Sequence, residues 1–121
     1  MQTRPTIRVV NSTKGTDVGS AIGLASTAWS RMVGLLGRTS LSAGEGLLIV
    51  PCSGVHTWGM KIPIDVVALD RHMSVVDVRE NMGSFRIAAV SWTTRSVLEL
   101  PAGMIRLARI EVGDTLAVTP A

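Results

Sequence analysis

The chain alternates short apolar runs with clusters of turn-forming residues. The runs are rich in Val, Ile and Leu and are bounded by Gly, Pro, Asn, Asp or Ser, which is typical of β-strands. This pattern predicts strands at residues 6–11, 20–25, 47–50, 55–60, 64–69, 73–78, 85–90, 96–100 and 115–118. Residues 64–69 and 73–78 are separated by a polar turn, and we expect them to form a hairpin.

One segment follows a helical period instead. Between residues 27 and 36, the apolar side chains of Ala28, Met32 and Leu35 recur every three or four positions. Thr27 is a suitable N-cap, and Gly37 can end the segment in a left-handed conformation. The sequence therefore predicts one short amphipathic helix here.

These elements predict a mainly β fold. A single helical turn is expected over residues 104–108, a loop over 81–84 and a tight turn at 113–114. The long crossover helices that a parallel α/β sheet needs are missing from the pattern. We predict one domain spanning residues 1–121, a β-sandwich or small barrel of about eight or nine short strands with one short α-helix.

Composition narrows the class of protein. The chain has 121 residues, of which 46% are hydrophobic, so it can bury a core without disulfide support. Cys52 is the only cysteine, which excludes an internal disulfide framework. The start of the chain resembles no cleavable leader, and no apolar run approaches the length of about 20 residues that spans a membrane. We expect a soluble cytoplasmic protein.

The charge pattern argues against a nucleic-acid partner. The formal net charge is only +3, although the pI is about 10.0. No Lys/Arg stripe is interleaved with aromatic residues, as phosphate contact and base stacking require. The three Trp are expected to supply core bulk, with Trp58 the best candidate for partial exposure, and His72 is expected at the surface.

The unusual side chains are concentrated in residues 46–70. This segment holds Cys52, His56, Trp58, Met60 and Asp65 between two apolar runs. It is the best place in the chain for a candidate site.

Several ordered motifs give the chain a family resemblance. They are TAWSRMVGLLGR at 27–38, GEGLL at 44–48, HTWGMKIPIDVVALD at 56–70, VLELPAG at 97–103 and GD at 113–114. Over about residues 6 to 118, the chain resembles the domain-of-unknown-function 192 family. The resemblance implies a compact, mostly β domain with a short helix, and it implies no particular activity.

The resemblance also marks residues typical of the family. Cys52 and His56, in Cys-x3-His spacing, resemble the subset of the family without a secretion signal. Gly59 stands where an aromatic residue is usual, and residues 81–86 lack the expected proline. The matching positions are Arg31, Gly34, Leu35, Arg38, Gly46, Met60, Pro63, Asp65, Glu99, Gly103, Gly113 and Asp114.

Three kinds of chemistry are compatible with these residues. Cys52, His56 and Met60 form a soft-ligand set that suits Cu(I), but residues four apart on a strand are about 13 Å apart. A chain reversal at residues 53–54 could bring Cys52 and His56 together, either as metal ligands or as a nucleophile and its base. Otherwise Cys52 and Met60 are packing residues.

The third possibility uses two carboxylates. Asp65 and Glu99 could line one polar pocket with Arg31 or Arg38 and perform general acid/base catalysis. The alternative is structural, because a carboxylate beside a turn often accepts backbone N–H groups. Strand alternation places Glu99 on the face opposite its neighbours Leu98 and Leu100.

Together these observations predict a non-catalytic domain that binds a small ligand or a protein partner. Its polar pocket is expected near residues 52–65, without a cofactor. A small hydrolase using Asp65 and Glu99 or Cys52 and His56 stays an alternative, as does a copper-binding protein, so whether the chain is an enzyme is left open. The candidate pocket residues are Arg31, Arg38, Cys52, His56, Trp58, Met60, Asp65 and Glu99.

Overall fold

The computed structural model describes residues 5–26, 40–51, 55–56, 61–83, 87–88 and 92–121. In these ranges it contains nine strands and one four-residue helix, α1. They are β1 (Thr6–Asn11), β2 (Thr16–Ala25), β3 (Glu45–Ile49), β4 (Val55–His56), β5 (Ile64–Leu69), β6 (Val75–Met82), β7 (Ile87–Ala88), β8 (Ser96–Pro101), α1 (Met104–Leu107) and β9 (Leu116–Pro120).

Seven of the strands form one curled sheet, a half-barrel, in the order β6-β5-β8-β3-β2-β1-β9. The remaining two, β4 and β7, form a separate antiparallel pair. The neighbours in the large sheet are antiparallel except for β2 and β3, which are parallel. The predicted mainly β fold is confirmed, and its principal sheet is a partly closed barrel.

The two outer strands of the sheet meet at one point, which explains its curvature. Ser74, just before β6, forms an antiparallel bridge with Thr115, just before β9. The N–H of Val75 donates to the carbonyl of Asp114 (2.8 Å), and the N–H of Leu116 donates to the carbonyl of Met73 (2.9 Å). Backbone hydrogen bonds therefore close the half-barrel here.

The sheet buries apolar side chains on both faces. Alternate residues of a strand point to opposite faces, so β5 and β8 contribute to two separate clusters. The enclosed cluster draws on both outer strands and on α1, and includes Ile22, Val67, Val75, Leu98, Leu100, Ile105 and Leu116. The cluster on the outer face includes Leu47, Ile49, Ile64, Val66, Ala68 and Val97.

The strand predictions agree with the structure except at some boundaries. The hairpin of β5 and β6 is confirmed, but β6 extends to Met82, so the loop predicted over residues 81–84 begins two residues too early. β2 begins at Thr16 and not at Ser20. Three predicted segments lie wholly or partly outside the described residues: the helix at 27–36, residues 57–60 of the strand 55–60, and residues 85–86 and 89–90 of the strand 85–90.

The parallel pairing of β2 with β3 was not predicted. A parallel connection needs a dozen or more residues, and residues 26–44 provide that length. Within the described ranges, no helix has the length and apolar character needed to cross a membrane.

Candidate functional site

Asp65, the second residue of β5, lies opposite a β-bulge in the neighbouring strand β6. In the register, Ile64 pairs with Met82 and Val66 pairs with Arg79, so Asp65 alone is opposite two residues of β6. Such a β-bulge leaves backbone groups without a ladder partner. The N–H of Asn81 belongs to the bulge and donates to Oδ1 of Asp65 at 2.8 Å. Asn81 has a φ of 52°, a left-handed conformation that Asn tolerates better than most residues.

The other carboxylate oxygen of Asp65 binds the start of α1. The first N–H groups of any helix lack intrahelical acceptors. Gly103, at the N-cap, has no side chain to supply one. Oδ2 of Asp65 accepts hydrogen bonds from the N–H of Gly103 (3.0 Å) and the N–H of Ile105 (2.9 Å). A residue 40 positions away in the sequence therefore caps the helix.

These three hydrogen bonds define what Asp65 can do. Its side chain is completely buried, with an exposed fraction of 0%, and both carboxylate oxygens accept backbone N–H groups. A general acid or base must reach a substrate proton. The geometry is that of a structural carboxylate, the interpretation that the sequence offered beside the catalytic one.

Glu99 lies on the other face of the sheet. It is directly opposite Leu47 of β3 and Val66 of β5, so these three side chains share the outer face. Asp65 is opposite Leu100, whose side chain belongs to the enclosed core. The two carboxylates that the hydrolase hypothesis places in one pocket point to opposite faces, and the described geometry does not bring them together.

The remaining predicted pocket residues are only partly described. The backbone of His56 pairs with Ile87 across β4 and β7. Among the residues that the structure describes, no group of three His, Cys, Asp or Glu could hold a metal ion. Arg31, Arg38, Cys52, Trp58 and Met60 lie outside the described residues, so their place in the pocket stays a prediction.

Sequence reasoning missed a polar network around Asp114. The turn at residues 113–114 was expected, but the burial of Asp114 was not. Its side chain is only 7% exposed and lies against the turn between β1 and β2. Oδ2 of Asp114 accepts hydrogen bonds from Asn11 Nδ2 (2.9 Å), Lys14 Nζ (2.8 Å) and the N–H of Glu111 (3.0 Å). Asn11 is buried at the end of β1. The signal available in the sequence was a polar Asn at the end of an apolar strand.

The protonation of this network follows from its contacts. Burial alone would raise the pKa of Asp114, but the hydrogen bonds from Lys14, Asn11 and the Glu111 N–H hold that pKa below its ordinary value. Hydrogen bonds to Asp114 and Glu111 raise the pKa of Lys14. The network keeps both charges, and it connects the first hairpin to the point where the half-barrel closes.

One tryptophan contradicts the expectation that the three Trp supply core bulk. Trp92 is 95% exposed in the turn that precedes β8. The prediction for Trp92 was wrong because aromatic residue type does not tell a turn from a core position. The predicted surface position of His72 is confirmed.

Two curated relatives cover most of the chain. The UPF0127 protein TK1120 of Thermococcus kodakarensis is 27% identical over 117 residues, which is 93% of this chain and 73% of that protein. A UPF0127 protein of Thermococcus gammatolerans is 29% identical over 114 residues, with 90% and 73% coverage.

Two solved structures have a similar fold. A protein of unknown function from Novosphingobium aromaticivorans superposes with a TM-score of 0.77 at 25% identity, covering 92% of this chain and 82% of that one. A protein from Sinorhizobium meliloti, described as a candidate transcription regulator, superposes with a TM-score of 0.82. Its identity is 20% and its coverage is 98% of both chains, so this likeness concerns the fold alone.

The family model named DUF192, described as an uncharacterized ACR, matches residues 9–118. That match covers most of the chain and agrees with the motifs quoted from the sequence. This chain belongs to the DUF192 family.

Proposed function

We propose that the chain is a small non-catalytic domain that binds a small ligand or a protein partner through a polar pocket near residues 52–65. The observation that carries this proposal is the position of Asp65. Its two oxygens bind three backbone N–H groups in a completely buried place, so the strongest candidate for an acid or base is already engaged.

The other carboxylate supports the same conclusion. Glu99 is buried on the outer face beside Leu47 and Val66, away from Asp65. A pair of carboxylates that performs acid/base catalysis must flank the same bond. Without that pair, catalysis would have to rest on Cys52 and His56 alone.

The predicted pocket residues favour a small anionic ligand over a neutral one. Arg31 and Arg38 would supply guanidinium groups that recognise carboxylate or phosphate, and His56 would supply a further donor. Trp58 and Met60 would provide apolar surface beside them.

A thermal-shift titration tests the proposal, with inorganic phosphate, citrate and glutamate as ligands. A ligand that binds only the folded state must raise the melting temperature as its concentration increases. We expect such a rise in the wild type and in His72→Ala, which alters an exposed turn residue, and we expect its loss in His56→Ala. Equal rises in both variants would place the ligand elsewhere.

An ester-hydrolysis assay tests the alternative directly. The proposal predicts no turnover of p-nitrophenyl acetate above the rate of an unrelated protein. Turnover that disappears in Cys52→Ala would instead support a nucleophilic pair of Cys52 and His56.

A further inference from the structure

The almost complete exposure of Trp92 has no structural benefit on its own. Its side chain is 95% exposed, the highest exposure among the large apolar residues of the described chain. An indole presents about 150–250 Å² of surface, and leaving it in water forgoes the stabilisation that burial gives. Exposed Trp side chains are enriched at sites that bind a partner.

Two arginines from distant parts of the sequence lie at the same end of the sheet. The N–H of Arg95 donates to the carbonyl of Leu69 at 2.8 Å, and Ser96 pairs with Leu69 in the sheet. Arg71 is two residues beyond Leu69, and Trp92 is three residues before Arg95. All three side chains are exposed, and together we call them the Trp92 surface.

The positive charge of this surface is offset only in part, by Asp70, whose pKa is lowered mainly by the N–H of Ser74 and also by the charge of Arg71. Among the described residues, neither Arg71 nor Arg95 forms an ion pair; Nε of Arg71 donates to Nε2 of His72 at 3.1 Å. The nearest carboxylate in the sequence is Asp70, whose Oδ1 accepts the N–H groups of His72 (2.8 Å) and Ser74 (3.0 Å). Ion pairs do occupy three other arginines, in Arg8–Asp17, Arg79–Asp77 and Arg106–Glu80.

We propose that the Trp92 surface binds single-stranded nucleic acid. An unpaired base would stack on the indole of Trp92, and the flanking phosphates would contact the guanidinium groups of Arg71 and Arg95. A single strand supplies an unpaired base and its flanking phosphates in every repeating unit, whereas a duplex keeps its base faces stacked inside. The sequence did not reveal this surface because Arg71 and Arg95 are far apart along the chain.

Fluorescence anisotropy with labelled oligothymidine and oligouridine of about ten nucleotides, at about 20 mM salt, tests the proposal and compares DNA with RNA. We expect binding by the wild type and at least about 5-fold weaker binding by Trp92→Ala, from the usual contribution of one stacked base. Trp92→Phe should recover part of the loss, because a phenyl ring can still stack.

The salt dependence separates the arginines from the indole. Each of Arg71→Ala and Arg95→Ala should reduce the slope of log K against log salt by about 0.7, as expected for one phosphate contact to a single strand. Trp92→Ala should leave that slope unchanged.

Two variants at exposed positions elsewhere serve as matched controls. Arg106→Ala removes an equal charge from a side chain that is 84% exposed. Leu107→Ala removes a large apolar side chain that is 73% exposed. Both should bind as the wild type does.

Three results would overturn the proposal. They are no binding by the wild type, equal losses in the control variants, and competition by an oligoglutamate peptide as strong as competition by unlabelled oligonucleotide. The last result would indicate a surface for acidic proteins. None of these variants alters the pocket near residues 52–65, so failure here is distinct from failure of the proposed ligand site.

Discussion

Asp65 joins two elements that each leave backbone N–H groups without an acceptor. At the bulge of β6, the N–H group of Asn81 has no ladder partner. At the start of α1, Gly103 has no side chain that could accept the first N–H groups, which include those of Gly103 and Ile105. One carboxylate accepts all three, which holds α1 against the end of β5. Local geometry therefore explains why this carboxyl group is buried in the core.

Replacing Asp65 with Asn tests this structural role. An amide offers one acceptor oxygen in place of two, so at least one of the three N–H groups loses its acceptor and faces an NH₂ group instead. We expect Asp65→Asn to lower the free energy of unfolding by about 2–4 kcal/mol, measured by urea denaturation. Asp77→Asn, at a partly exposed ion pair, should cost about 0.5 kcal/mol or less. Unchanged or increased stability in Asp65→Asn would contradict the structural role.

The contact between Asp114 and Lys14 predicts how the stability of the fold depends on pH. In the folded protein, the pKa of Asp114 is below its ordinary value of 3.8. The ionised carboxylate therefore stabilises the folded state fully at pH values above 3.8. The contribution is lost as the pH falls further, through the folded-state pKa.

Removing the lysine should move this pKa. Lys14→Met deletes one of the hydrogen bonds to Asp114 but leaves the burial, so the pKa of Asp114 should rise. Carbon-13 NMR of the Asp114 carboxyl during an acid titration measures it in both proteins. The same pKa in both would show that the ammonium group has no influence on the carboxylate.

At the scale of the element, the approach of β3 to β8 depends on a glycine. A Cβ at Gly46 would lie 2.6 Å from the carbonyl oxygen of Glu99 and 2.9 Å from Cδ1 of Ile22. Because the first of these atoms belongs to the backbone of a central strand, the conflict cannot be relieved by a side-chain rotation.

We expect Gly46→Ala to cost about 1–3 kcal/mol of unfolding free energy, the usual range for overpacking a core. Gly83→Ala is the matched control, since a Cβ there has nothing within 4 Å. Thermal or urea unfolding of the two variants compares them. Equal costs would mean that the close contact at Gly46 is unimportant.

The free edge of β9 is short. The N–H of Leu116 donates to the carbonyl of Met73, where the half-barrel closes. Because N–H groups alternate between the two sides of a strand, the N–H of Val118 points to the same outer side as that of Leu116. Pro120 has no N–H group. Hydrogen exchange should therefore be at least about 100-fold faster at Val118 than at Leu116. Similar rates at the two amides would show that the closure opens readily in solution.

The local pattern predicted the strands well and the hairpin of β5 with β6 correctly, but it did not predict the other pairings. Residues 6–11 and 64–69 match β1 and β5 because turn residues bound these apolar runs on both sides. The bulge opposite Asp65 was not predictable, because it depends on pairing across the sheet. The same reason explains why the parallel contact of β2 with β3 was missed.

At the scale of the whole molecule, the candidate site was only partly predictable. The sequence identified Asp65 and Glu99 as unusual carboxylates, and it placed Glu99 opposite its leucine neighbours. It could not show that Asp65 shares a face with Leu100 and not with Glu99, because that depends on the register between β5 and β8. The fold likewise brought Arg71 and Arg95 to the same end of the sheet.

The most direct test of the proposed binding domain is an NMR titration of the isotopically labelled protein with inorganic phosphate and citrate. We expect saturable shifts of backbone amide signals within residues 52–65, centred on His56, and smaller changes elsewhere. Unchanged signals in that segment, or shifts confined to Arg71, Trp92 and Arg95, would contradict the proposed pocket.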